Sequence, residues 1–278
     1  MVLVLCALLY ASSVVVTATA FPDGLVVSAD DAAPRQPLWE PLLGPAVGIV
    51  VVLLFTPKRP RLPAVPGESS ALIGSTAMLL GLLAVYLFAP RLLPVTPEGQ
   101  VLLKALLLML VPGLVMWLRR WRSRAVRLHS PAGAWRWWMP AVAVVVYTVV
   151  SQLMPWVSPW DPGDVPLELV IIGATATAVT AGVGEELFFR LWLQTRLEAL
   201  LGAPAGIALA STFFGLMHLT SHGSGNLMLD VAQVVAVQGT FGLFLGILWW
   251  RFRNLWFTIL AHLITNGWPV LVWLVTQA

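Results

Sequence analysis

The sequence predicts an all-α fold, a polytopic bundle of about eight or nine membrane-spanning helices. Of its 278 residues 59% are hydrophobic and only 10% are charged, against roughly 25% charged in an ordinary soluble domain. A soluble fold of this size cannot hide that much apolar surface, which excludes a disordered chain, a secreted disulfide scaffold and a cytosolic enzyme. The apolar residues also fall in runs near the roughly 20 residues that a helix needs to cross a bilayer. These runs do not alternate as barrel strands do, and lipid accepts only helices or closed barrels. Between the runs sit the arginines Arg59, Arg61, Arg119, Arg120, Arg122, Arg124, Arg127, Arg251 and Arg253. Such clusters mark cytoplasmic loops rather than a nucleic-acid surface.

In chain order, residues 1–20 form an apolar run ending in Ala18-Thr19-Ala20. That ending suits a signal-peptide cleavage site, while the absence of a Lys or Arg before the run favours a retained first helix. Residues 21–41 hold Asp23, Asp30, Asp31 and Pro34 and read as an external loop. Further apolar runs cover about 42–57, 71–94, 100–118, 137–154, 167–189, 203–218, 231–250 and 255–276. With the loops at 58–70, 119–136, 190–202 and 251–254 inside, and those at 21–41, 95–99, 155–166 and 219–230 outside, the topology alternates without conflict. Trp121, Trp137, Trp138, Trp156, Trp160, Trp249, Trp250 and Trp256 flank the runs, as interfacial anchors do. The single cysteine, Cys6, rules out an internal disulfide and a cysteine-based metal site. The chain divides into N-terminal membrane helices over 1–135 and a core over 136–278.

Charge inside a membrane helix costs about 2.5–3.5 kcal/mol on insertion scales, so polar residues there need partners or a task. Three places qualify. In Gly184-Glu185-Glu186-Leu187-Phe188-Phe189-Arg190, helical spacing makes Glu186 and Arg190 neighbours one turn apart. Glu185 then points about 100° away and is left for chemistry, such as taking a proton from water. Taken alone, the same residues also suit an interfacial salt bridge. In Phe214-Gly215-Leu216-Met217-His218 a histidine closes an apolar helix. In His262-Leu263-Ile264-Thr265-Asn266 a histidine and an asparagine share one helix face. Either of these two sites also reads as helix packing. The turn at Leu201-Gly202-Ala203-Pro204 lies about 16 residues from both Glu186 and His218, roughly 24 Å along antiparallel helices, so the two reach similar depth. Arg190, Arg196 and Glu198 suggest that the hairpin tip protrudes into the cytoplasmic interface. His129, His222 and Asp230 read as ordinary loop residues.

At these residues the sequence resembles the CPBP family of CAAX-prenyl endoproteases and bacterial proteins first linked to bacteriocin processing. Glu185, Glu186 and Arg190 match its Glu-Glu-x-x-x-Arg motif, Phe214 and His218 its Phe-x-x-x-His, and His262 and Asn266 its His-x-x-x-Asn. The resemblance covers roughly 140–275; residues 1–135 match nothing familiar. It implies a CAAX-protease-like core and an intramembrane endopeptidase. Glu185 would activate water with help from His218, while His262 and Asn266 would stabilise the oxyanion. Glu186, Arg190 and Phe214 would support them. No cofactor is favoured; if a zinc ion were bound, Glu185, His218 and His262 would be its ligands. The partners expected are the lipid bilayer and a membrane-embedded or membrane-anchored peptide substrate, with no nucleic acid. The lysine-poor, Ala-, Val- and Leu-rich composition points to a bacterial inner membrane. Leader peptides or C-terminal anchor and sorting segments of exported proteins are the expected substrates. The alternatives are a non-catalytic scaffold or immunity protein of the same fold, and a proton-coupled transporter.

Overall fold

The computed structural model describes residues 1–27, 33–55, 69–122, 137–220 and 225–277, and among these described residues nine apolar segments are helical. Of the residues singled out in the sequence, Asp30, Asp31, Arg59, Arg61, Arg124, Arg127, His129 and His222 lie outside these. Seven segments are long and apolar enough to cross a membrane; two shorter apolar helices, Trp39–Leu54 and Trp138–Gln152, complete the nine. The chain is an integral, multi-pass membrane protein.

The elements are α1 (Val2–Ala20), α2 (Trp39–Leu54), α3 (Ser69–Leu92), α4 (Pro97–Lys104), a π-helix π1 (Ala105–Leu110) and α5 (Val111–Arg122). After these come α6 (Trp138–Gln152), α7 (Leu167–Thr177), a second π-helix π2 (Ala178–Gln194), α8 (Thr195–Leu201) and α9 (Ala203–Met217). A 3₁₀ turn (His218–Thr220), α10 (Leu227–Ala236), α11 (Gln238–Phe252) and α12 (Leu255–Gln277) follow. Local chemistry sets several of these ends. Thr96 caps α4 by accepting from the Gly99 amide at 3.2 Å, and Pro97 occupies the first helical position, where no amide donor is needed. Gly202, at φ +82°, turns the chain between α8 and α9. Asn226 caps α10 through the amides of Met228 and Leu229.

The span Leu227–Phe252 is the most deeply buried. It packs through α11 against α9 and α2, while α1 lies along α9 and α10, and α12 lies against π2 and α6. Two apolar clusters fill the bundle. One joins Leu79, Leu83, Leu108, Phe188, Phe189, Leu193 and Phe214; the other joins Val52, Val144, Tyr147, Phe244, Leu245 and Leu248. Phe241 packs on both. The usual inside-out order is inverted. Leu8, Val50, Leu102, Leu110, Ile172 and Val275 face outward, whereas Glu185, Glu186, Arg190, Gln194 and His262 are buried. A bilayer explains both halves: acyl chains accept leucine, and buried polar groups must find one another.

The structure corrects one expectation and adds detail to another. Residues 190–201 are helix rather than loop. Helix runs to Leu201, and Arg190, Arg196 and Glu198 are all buried. The cause is inward pairing: Arg253 donates to Glu198 at 2.5 Å, Gln194 donates to the same carboxylate at 2.8 Å, and Arg196 donates to Ser75 Oγ at 2.9 Å. The first external loop, where described, is folded back on the bundle. Leu25 and Gln36 exchange both backbone hydrogen bonds at 3.0 Å, and Gln233 Nε2 donates to the Val26 carbonyl at 2.8 Å.

Candidate functional site

Three polar positions from the sequence converge where π2, α9 and α12 meet. π2 carries Glu185, Glu186 and Arg190, all with no solvent exposure. The sequence reading assumed α-helical geometry for this stretch; the backbone instead takes the wider i→i+5 winding, a form rare in proteins and frequent at functional sites. The Thr195 hydroxyl closes it by donating to the carbonyl of Arg190, five residues back, at 3.0 Å.

Glu186 links the elements. One of its oxygens accepts from Arg190 Nε at 3.2 Å, and the other accepts from His262 Nδ1 at 2.9 Å. A carboxylate can only accept, so the His262 Nδ1 bears a proton and Nε2 is the atom turned toward Glu185, 3.9 Å from its Oε2. That gap exceeds a hydrogen bond and leaves Oε2 its acceptor capacity. His218 is fixed by the same logic. Its Nδ1 lies 2.9 Å from the Phe214 carbonyl, which forces the proton onto Nδ1 and makes Nε2 the acceptor of the neutral ring. His218 stands within electrostatic range of Glu185. Phe214 is the shared wall: its ring packs on His218 at 5.0 Å and on His262 at 5.8 Å, and the Arg190 guanidinium lies 4.8 Å above its centre. Asn266 stands one turn beyond His262, half-buried and outside the cluster of direct contacts. Its neighbour Thr265 shares a 2.7 Å hydrogen bond with Tyr147, which pins that turn of α12 to α6.

One member of the cluster was missed in the sequence. Lys104, at the end of α4, forms an ion pair with Glu185. Its signal was a lone ammonium four residues inside an apolar run, a placement that insertion energetics penalise unless a partner waits. With Lys104 and Arg190 against Glu185 and Glu186, the buried charges balance, which is the condition for burying them at all.

A zinc ion does not fit these residues as they stand. Among the described residues no three His, Cys, Asp or Glu side chains converge to hold one, and the ammonium of Lys104 already occupies the anionic side of Glu185.

Fold and site together define a class: a polytopic helical membrane protein with a buried carboxylate–imidazole centre. Residues 167–268 match the family model for the type II CAAX prenyl endopeptidase Rce1-like proteins. That segment runs from α7 into α12, holds every motif residue read from the sequence, and carries the likeness to the CPBP family of CAAX-protease-like membrane proteins. No curated protein and no solved structure matches the chain.

Proposed function

We propose that the chain is an intramembrane endopeptidase that cuts a peptide bond with water activated by Glu185. The observation that carries this reading is the side-by-side placement of two buried carboxylates with different partners. Glu186 is fully committed to Arg190 and His262, while Glu185 Oε2 has an imidazole nitrogen 3.9 Å away and no hydrogen bond to it. In the proposed step, water donates to Glu185 and to His218 Nε2, and its oxygen attacks the scissile carbonyl. The proton passes to Glu185 and from there to the leaving nitrogen as the C–N bond breaks. The Asn266 amide donates to the developing oxyanion, and His262, held by Glu186, lines the same side of the site; one such donor is worth about 10²–10³ in rate. Glu186 and Arg190 keep His262 oriented. No metal is used in this scheme.

In the same reading the membrane is a bacterial plasma membrane. The substrates are leader peptides or C-terminal anchor and sorting segments of exported proteins.

The test is a comparison of wild type with Glu185→Gln, His218→Ala and His262→Ala in cells that express the chain, with mass spectrometry of the N- and C-termini of membrane and secreted proteins. A small set of termini should vanish in all three variants while the protein still accumulates. Termini that persist in the variants, yet change when the whole gene is deleted, would make this a binding protein whose motifs are structural.

A further inference from the structure

Lys104 lies outside the segment that matches the family, on a helix from the N-terminal half of the chain. Its approach to Glu185 is built into the packing. π1 begins at the residue after Lys104 and packs on π2. The contact places Met109 flat over Gly184: a Cβ at Gly184 would stand 2.5 Å from the Met109 sulfur. The residue before Glu185 is therefore bare where Met109 of π1 packs on it. The contact also divides the Glu185 carboxylate. Oε1 takes the ammonium, and Oε2 is the oxygen turned to His262. Glu186 has an arginine of its own; the cation of Glu185 comes from elsewhere in the chain.

We propose that Lys104 is a positioning residue: its ammonium anchors one oxygen of Glu185 so that the other is presented to the two histidines. The N-terminal helices thereby complete a site whose reacting groups all lie in the family segment. This role rests on the endopeptidase reading above.

The test uses the purified full-length protein in detergent and a synthetic peptide spanning a terminus that Glu185→Gln abolishes in cells. Lys104→Met should lower kcat on the order of 10- to 100-fold, the loss that removal of an orienting partner brings at comparable ligand residues, with KM unchanged. Lys104→Arg, which keeps the charge, should restore most of it. In parallel, melting temperatures of Lys104→Met, Glu185→Gln and the double variant form a cycle. Each single variant should melt lower than wild type, and the double variant should lose less than the two losses combined. Additive losses, a wild-type kcat in Lys104→Met, or a kcat loss that Lys104→Arg leaves unrepaired would each overturn the proposal. If no terminus depends on Glu185, the endopeptidase reading fails and this role falls with it; the melting cycle still reports independently whether the ion pair exists.

Discussion

Glu186 answers to two partners at once, the guanidinium of Arg190 and the imidazole of His262, in a place with no solvent. Among the described residues, the two terminal nitrogens of Arg190 have no hydrogen-bond partner, so this carboxylate is the main compensation of a buried cation. Removing one member of such a pair costs about 3–5 kcal/mol, because the other charge stays buried alone. Glu186→Gln should therefore lower the unfolding midpoint in detergent far more than Glu185→Gln combined with Lys104→Met, which removes both members of its pair. Equal losses in the two would contradict the charge pairing described. At this scale the sequence was partly legible. The Glu186–Arg190 pair follows from spacing within one helix, and the structure contains it at 3.2 Å. The bond from His262 to Glu186 was not legible, because the rotation of α12 about its own axis is set by neighbours, among them Tyr147 holding Thr265. Lys104 escaped for a related reason: no local periodicity ties it to a carboxylate so far along the chain.

The hairpin of α8 and α9 shows what the element scale adds. Gly202 and Pro204 announce its turn in the sequence, and the helices do part at Gly202. What they do not announce is how closely the two helices run. A Cβ at Gly206 would overlap the backbone of Leu197 and Glu198, so no rotamer change can relieve it. At Gly81 in α3 a Cβ would meet nothing within 4 Å. Gly206→Ala should destabilise by about 1–3 kcal/mol through overpacking. Gly81→Ala should be neutral or stabilising, by up to about 1 kcal/mol of helix propensity. Thermal unfolding of the two variants side by side checks this, and a benign Gly206→Ala would refute the packing. The π-winding of residues 178–194 has no mark in composition or hydrophobic pattern. An apolar stretch looks the same whether its amides reach back four carbonyls or five, so the assumption of α-geometry was the natural one and the wrong one.

For the molecule as a whole, the nine runs visible in the sequence all became helices, because bilayer thickness fixes segment length and leaves little else to choose. Orientation across the membrane still rests on charge. The arginine-rich loops of the sequence predict that Asp161, in the exposed connection before α7, lies outside and that sequence position 124 lies inside. In a Cys6→Ser background, a membrane-impermeant maleimide added to intact cells should label Asp161→Cys and spare Arg124→Cys until the membrane is opened. The opposite pattern would invert the topology. The ion pair between Lys104 and Glu185 also bears on how the protein is made. The ribosome delivers Lys104 to the membrane long before Glu185 exists; at roughly 5–20 residues per second the wait lasts seconds. During that interval a bare ammonium must lodge in or beside lipid, at a cost of about 2.5–3.5 kcal/mol, with only the leucines around it to hold its helix in place. Biogenesis of this protein therefore passes through a stage in which the span that carries an unpaired cation is the one that later meets Glu185. That stage is where an insertion chaperone, or a quality-control protease, would find it.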